Sequence, residues 1–269
     1  MRSHLHITGM LLLALALVGL GVHVAGAEQS APVPDYGDVT PVPFGPGEQA
    51  VYQVKLGGVS VGSGRMEVLG MEMVNGKQTY HTTLSVSGGI PLARVNDRFD
   101  SWIDVQGLFS RRFKQDQKEI RFERRRTYDF FPEDRTFRRE NGETGTIPTS
   151  TPLDDVSFLF YARTLPLRVG DTYTIPRYFQ TDGNPVVIEV VRKQVVTVPA
   201  GRFQTIVVRP VIKTKGLFGE GGEAEVFFSD DDRRIMVHLR SKVPVIGSLT
   251  MQLRSYREGQ ALAAWSPPN

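Results

Sequence analysis

Between residues 48 and 257 apolar and polar positions alternate with period two, broken at intervals by short turn sequences. Ala50, Tyr52, Val54 and Leu56 make the first run, which Gly57-Gly58 ends. Val59, Val61, Met66 and Val68 carry the second run toward Asn75-Gly76. That dipeptide is the strongest short hairpin signal, because both turn residues tolerate positive φ. The same alternation predicts strands near 78–87, 95–105, 108–117, 119–131, 171–179, 185–198, 203–215, 222–229, 234–243 and 247–257. Pro199-Ala200-Gly201 and Ser229-Asp230-Asp231-Asp232 read as two further hairpin turns. One stretch departs from period two. Val156, Leu159, Phe160 and Arg163 fall at helical spacing behind an Asp154 cap, with Leu153 and Phe158 placed as a hydrophobic staple. The expected fold is all-β: a single large curved antiparallel sheet or incomplete β-barrel of about a dozen strands, with one short helix near 154–164.

Outside 48–257 the pattern changes. Arg2, the apolar run Met10 to Val22 and the small residues Ala25-Gly26-Ala27 predict a secretory signal peptide spanning 1–27, cleaved after Ala27. The apolar run is short for a bilayer span, so no transmembrane segment is expected after cleavage, and the expected location is the periplasm or the secreted fraction. Prolines at 32, 34, 41, 43 and 46 predict a solvated leader over 28–47, and residues 258–269 read as a flexible tail around a single β domain at 48–257.

Composition narrows the chemistry. The chain holds no cysteine, which removes disulfides, thiolate catalysis and Cys-based zinc sites. Only His81 and His238 lie beyond the signal, so no metal or other cofactor is expected. Cleavage removes a single Lys or Arg, Arg2, and leaves 31 basic against 29 acidic side chains. This balance and the export signal argue against nucleic acid as a partner. The charge is uneven, however: from Arg111 to Arg139, nine Arg and two Lys face six acidic residues.

Several short patterns occur in a fixed order: Gly47-Glu48, Asp154 through Arg163, Gly170-Asp171, Val198-Pro199-Ala200-Gly201-Arg202-Phe203, Ser229-Asp230-Asp231 and Gly247-Ser248-Leu249. On these the chain resembles the bacterial domain-of-unknown-function family 3108, over roughly residues 44 to 257. Ile235-Met236 departs from the Pro-Val pair expected after the acidic turn. The resemblance implies an exported envelope protein with an all-β fold; it brings no catalytic residue to transfer.

The stretch 120–130 carries the most specific signal. One face reads Ile120, Phe122, Arg124, Arg126, Tyr128 and Phe130, aromatics mixed with two guanidinium groups that a dry core would not hold unpaired. Arg111 and Phe113 repeat the mixture on the preceding strand. A sheet lining a moist hollow gives this pattern. Arg111, Phe113, Phe122, Arg124, Arg126 and Tyr128 are accordingly the candidate ligand-binding residues, for a lipid or acylated glycan. The competing reading is that these arginines pair with acids such as Asp97, Asp100 or Glu123, or simply lie on a solvated face. Three connections carry apolar residues at their tips: Ile90 and Leu92, Leu217 and Phe218, Val245 and Ile246. These are candidates for touching a membrane or guarding a cavity mouth.

Two constellations have simpler explanations than chemistry. Asp154, Asp155 and Ser157 suit a helix cap better than an acid–nucleophile group, and Asp230-Asp231-Asp232 suits a turn better than a calcium loop. The sequence therefore points to a non-enzymatic binding protein. A structural protein docking an envelope partner stands beside it, and a hydrolase using His81 or His238 comes third.

Overall fold

The computed structural model describes residues 39–90, 93–119, 122–211, 223–243 and 247–268; for residues 90, 93, 119, 122, 223, 243 and 247 it describes the backbone alone. The candidate tips Leu92, Leu217, Phe218, Val245 and Ile246, and the side chains of Ile90 and Phe122, lie outside what is described. Everything described belongs to one unit, Tyr36–Asn269.

The alternating stretches form strands. In the first half these are β1 (Gln49–Leu56), β2 (Val59–Val74), β3 (Lys77–Ile90), β4 (Ala93–Asp104), β5 (Ser110–Glu119), β6 (Phe122–Phe131), β7 (Thr136–Arg139) and β8 (Thr144–Thr146). After helix α1 (Asp155–Ala162) come β9 (Thr172–Ile175), β10 (Val186–Val198), β11 (Gly201–Val211), β12 (Glu223–Ser229), β13 (Met236–Val243) and β14 (Gly247–Arg257). They make one 14-stranded antiparallel sheet in the order β8-β7-β6-β5-β4-β3-β2-β1-β14-β13-β12-β11-β10-β9. The chain enters at the middle of the sheet and walks to one edge. It then crosses through α1 to the opposite edge and returns to pair β14 with β1. The sheet is not closed: β8 and β9 are its two edges. At the β2–β3 turn, Asn75 and Gly76 both have positive φ, as the hairpin signal requires.

Register decides which side chains share a face. Ala50 opposes Met66, Met66 opposes Leu84 and Leu84 opposes Phe99. On the other side of β1, Val54 opposes Met251, Met251 opposes Leu239, and Leu239 opposes Val226. Ala50, Val54, Met66, Leu84, Val226, Leu239 and Met251 are all buried and define an inner face, and α1 packs against it at β3 and β4. The helix is short and apolar on nearly every side: Val156, Phe158, Leu159, Phe160 and Ala162 are all buried. It acts as a plug against the sheet, and each fully buried Phe or Leu stabilises the fold by ~1.5–3 kcal/mol.

Polar bonds fix the ends of α1. Asp154 accepts from the backbone N–H groups of Val156 (2.8 Å) and Ser157 (2.9 Å), and the Ser157 hydroxyl accepts from the Asp154 N–H. At the other end, Arg163 is about 1% exposed and donates to both carboxylate oxygens of Glu48, at 2.7 and 3.2 Å. It also donates to the carbonyls of Pro43 and Arg233, at 2.9 Å each. Residues 39–47, expected to belong to a solvated leader, are thus docked. Thr40 donates its N–H to Val105, and Val42 and Phe44 are in the core. The C-terminal stretch is fastened too: Gln260 donates to the Pro46 carbonyl and Trp265 to that of Asp232.

Candidate functional site

The apolar rows of the inner face change character as they reach β5 and β6. Phe99 opposes Gln115, which opposes Arg126; Asp97 opposes Gln117, which opposes Arg124. Phe113 opposes Tyr128, and Tyr128 opposes Arg139 on β7. Arg124, Arg126 and Tyr128 therefore share the face that carries the core, together with the fully buried Phe113. Both arginines are half-buried. Arg126 makes no ion pair or hydrogen bond among the described residues, whereas Arg124 has a partner.

Arg111 departs from this group. The β4–β5 ladder shifts between Trp102 and Ile103. Arg111 donates to Asp104 and to Glu133 at 2.9 Å each and lies 4.7 Å from the Phe109 ring centroid. Its charge is spent on structure, so the competing reading of an ion-paired arginine holds at this position, though with Asp104 and Glu133 and not Asp97, Asp100 or Glu123.

Beside Tyr128 lies a cleft of about 420 Å³, lined by Tyr128, Phe137, Thr146, Phe179, Gln180, Thr181 and Asp182. Three elements build it. The β6–β7 hairpin supplies Tyr128 and Phe137, in edge contact at 5.4 Å. Strand β8 supplies Thr146. The loop after β9 supplies Phe179, whose ring meets those of Tyr128, Phe130 and Phe113 at 5.4, 5.7 and 5.8 Å. That loop is clamped: Asn184 accepts from the Tyr178 N–H and donates to the carbonyls of Tyr178 and Gln180. The Tyr178 hydroxyl donates to Asp155 at 2.7 Å, and Leu153 accepts from the Phe179 N–H. A rigid loop therefore holds the back wall of an aromatic cleft whose floor is β6.

Other titratable groups have structural partners. Asp154 accepts from the Ser101 hydroxyl at 2.6 Å, and Ser110 and Ser157 bond to each other at 2.8 Å. Burial pushes the Asp154 carboxyl up to about 6, against the pull of these hydroxyls. No histidine enters the cluster: His81 nitrogens face Glu72 (2.7 Å) and Asp100 (2.9 Å), and His238 Nδ1 bonds the Met251 carbonyl. Burial favours neutral His81, but the two carboxylates outweigh it and raise its pKa. In the acidic turn Asp230 pairs with Lys193 and Asp231 with Arg233, so the carboxylates diverge toward separate cations. Across the sheet, Glu225 receives Arg192 at 2.7 and 3.0 Å and Arg240 at 2.5 Å, and these bonds hold its carboxyl down at about 2.

Residues 51–254 match the model of the family described as Protein of unknown function (DUF3108). The chain belongs to the DUF3108 family. Among solved structures, this DUF3108 protein is similar to the β-barrel-like protein of domain of unknown function DUF1849 from Brucella abortus, with 11% identity, a TM-score of 0.48, and coverage of 83% of this chain and 100% of that one. It is also similar to the hypothetical protein CT021 from Chlamydia trachomatis, with 8% identity, a TM-score of 0.37, and coverage of 83% and 93%. No curated protein matches the chain. Among the described residues of this DUF3108 protein, no helix is long and apolar enough to cross a membrane.

The alternation along the sequence places Phe113, Arg124, Arg126 and Tyr128 together and leaves out Phe137, Arg139 and Phe179. For the first two a signal existed: Phe137 and Arg139 alternate with Thr136 and Arg138 directly after the Pro132–Arg135 turn. Phe179 sits in a loop, where no periodicity marks it.

Proposed function

We propose that this protein is exported and binds an amphiphilic, anionic envelope molecule such as a lipid or acylated glycan on the inner face of its open sheet, without transforming it chemically. One observation supports this reading above the others. An aromatic cleft of about 420 Å³ opens beside Tyr128, and two positions along the same face stands Arg126, half-buried and with no acid partner among the described residues. Apolar walls with one or two placed charges are the usual make-up of a small-ligand site. The test is organic extraction of protein purified without detergent, followed by mass spectrometry. The expected result is a co-purifying anionic amphiphile, depleted in a Tyr128→Ala variant. Repeated absence of any amphiphile, together with no retention of added fluorescent lipid, overturns the reading.

The second reading is docking to an envelope partner. The observation in its favour is the outer-face pair Arg192 and Arg240 on the carboxylate of Glu225, with Arg209 beside them at 3.1 Å from Glu189 and 3.9 Å from Glu225, next to a cleft of about 260 Å³ that includes Phe227 and His238. A discrete protein adduct at Arg192 or Arg240 in cells, with no lipid recovered, would favour it.

A further inference from the structure

Resting on the ligand-binding reading above, we infer that the ligand is a single-chain amphiphile with an anionic head group of two or more oxygens. In this assignment Arg139 and Arg126 hold the head, while Phe137, Tyr128 and Phe179 hold the chain. Arg139 is the new member of the site. It stands directly opposite Tyr128 in the β6–β7 ladder, and its guanidinium lies 5.8 Å from the Tyr128 ring centroid. Arg126 is two residues from Tyr128 on the same face of β6. Arg126 and Arg139 are therefore diagonal cross-strand neighbours, a separation of roughly 7–8 Å that two long side chains easily close.

Their charge is not balanced locally. Arg139 has one carboxylate, Glu143, itself about half exposed, while its own side chain is largely covered. Its Nε is buried and has no hydrogen-bond partner among the described residues. Arg126 has neither ion pair nor hydrogen bond among them. Among the described residues one carboxylate, Glu143, pairs with Arg139 and none pairs with Arg126, beside a cleft with three aromatic and four polar lining residues; the planar forks of the two guanidiniums match the oxygens of a carboxylate or phosphate. Asp182 lines the cleft too. Its negative charge would turn an anionic head away from its own side and toward the arginines. The volume limits the rest of the ligand: about 420 Å³ is near the small end of ligand sites, which run from roughly 300 to 1,000 Å³. It suits one alkyl chain, not two.

The head chemistry has two sources, the carboxylate of a fatty acid and the phosphate of a lysophospholipid. Displacement of a fluorescent probe by dodecanoate, dodecyl phosphate, neutral dodecyl maltoside and a two-chain phosphatidate separates the outcomes. The two single-chain anions should bind, the tighter one naming the source, with the maltoside, which uses neither arginine, about a hundredfold weaker. Arg139→Gln and Arg126→Gln should each weaken anion binding by about tenfold and leave the maltoside unchanged. Because Arg126 has no structural partner among the described residues, its variant gives the reading even if Arg139→Gln disturbs β7. If all dodecyl compounds bind equally, or both glutamine variants bind anions normally, the head-group assignment fails while amphiphile binding stands. Equal binding of the phosphatidate overturns the single-chain claim. If no compound binds, the underlying reading falls with it.

Discussion

Arg163 and Glu48 form the deepest ion pair in the described structure, and replacing Arg163 by Met tests how the helix is anchored. Both side chains are almost wholly buried, at 1% and 4% exposure. Removing the guanidinium leaves Glu48 as a buried carboxylate with no cation, and leaves the carbonyls of Pro43 and Arg233 without this donor. Breaking a buried pair by deleting one member costs ~3–5 kcal/mol, and each orphaned acceptor adds ~1 kcal/mol or more. The expected loss for Arg163→Met is therefore ~5–7 kcal/mol, a large part of the ~5–15 kcal/mol that holds an ordinary domain. Glu48→Gln keeps one acceptor for the guanidinium and should cost ~3 kcal/mol. The double variant leaves no uncompensated charge, so it should be ~2 kcal/mol or more better than the two losses added together. Urea titrations followed by circular dichroism give the three values. Single losses below ~1 kcal/mol, the worth of an exposed pair, with an additive double variant, would refute the argument.

Four further outcomes concern Asp154, His81 and Gly62. Asp154→Ala should cost ~2 kcal/mol or more, since it removes a helix cap and the Ser101 acceptor together, whereas Asp154→Asn keeps an oxygen for the cap; thermal melts distinguish them. Because the folded Asp154 carboxyl is raised to about 6 from 3.8, its contribution is full below pH 3.8 and lost as pH rises through 6, worth ~3 kcal/mol; Asp154→Asn should flatten that part of the stability–pH curve. His81 has the same sign by another cause: raised by Glu72 and Asp100, it stabilises fully below pH 6.5 and loses this as pH rises through its folded value, so His81→Gln should be most harmful at acid pH. At Gly62 a Cβ would lie 2.2 Å from the Ser87 carbonyl oxygen, so Gly62→Ala should push β2 from β3 and cost ~1–3 kcal/mol in a melt.

What was legible in the sequence was the part governed by alternation. Ala50, Tyr52 and Val54 announce β1 because only one face of that strand meets the core, and Arg124, Arg126 and Tyr128 share the parity of Phe130 for the same reason. Asp154 was legible because capping is local chemistry. β7 and β8 escaped because their stretch offers few apolar residues; β7 is held by its ladder to β6, where Phe130 opposes Phe137. Arg111 was grouped with Phe113 by counting in twos, and a shift in the β4–β5 ladder, which no residue pattern signals, breaks that count. Val42 and Phe44 sit between prolines without any period, so their docking beside α1 could be found only from the fold. Phe179 reaches the cleft by long-range packing, which a linear chain does not display.

Photo-crosslinking shows whether the inner face beside β6 holds the chain of an anionic amphiphile. A dodecanoic acid carrying a diazirine near its methyl end is incubated with the purified protein, irradiated, and the labelled peptides are mapped. Adducts are expected within 136–139 and 178–182, lost when unlabelled dodecyl phosphate is added in excess. Labelling confined to Phe227, His238 and their outer-face neighbours, or spread evenly and insensitive to competition, would contradict this assignment.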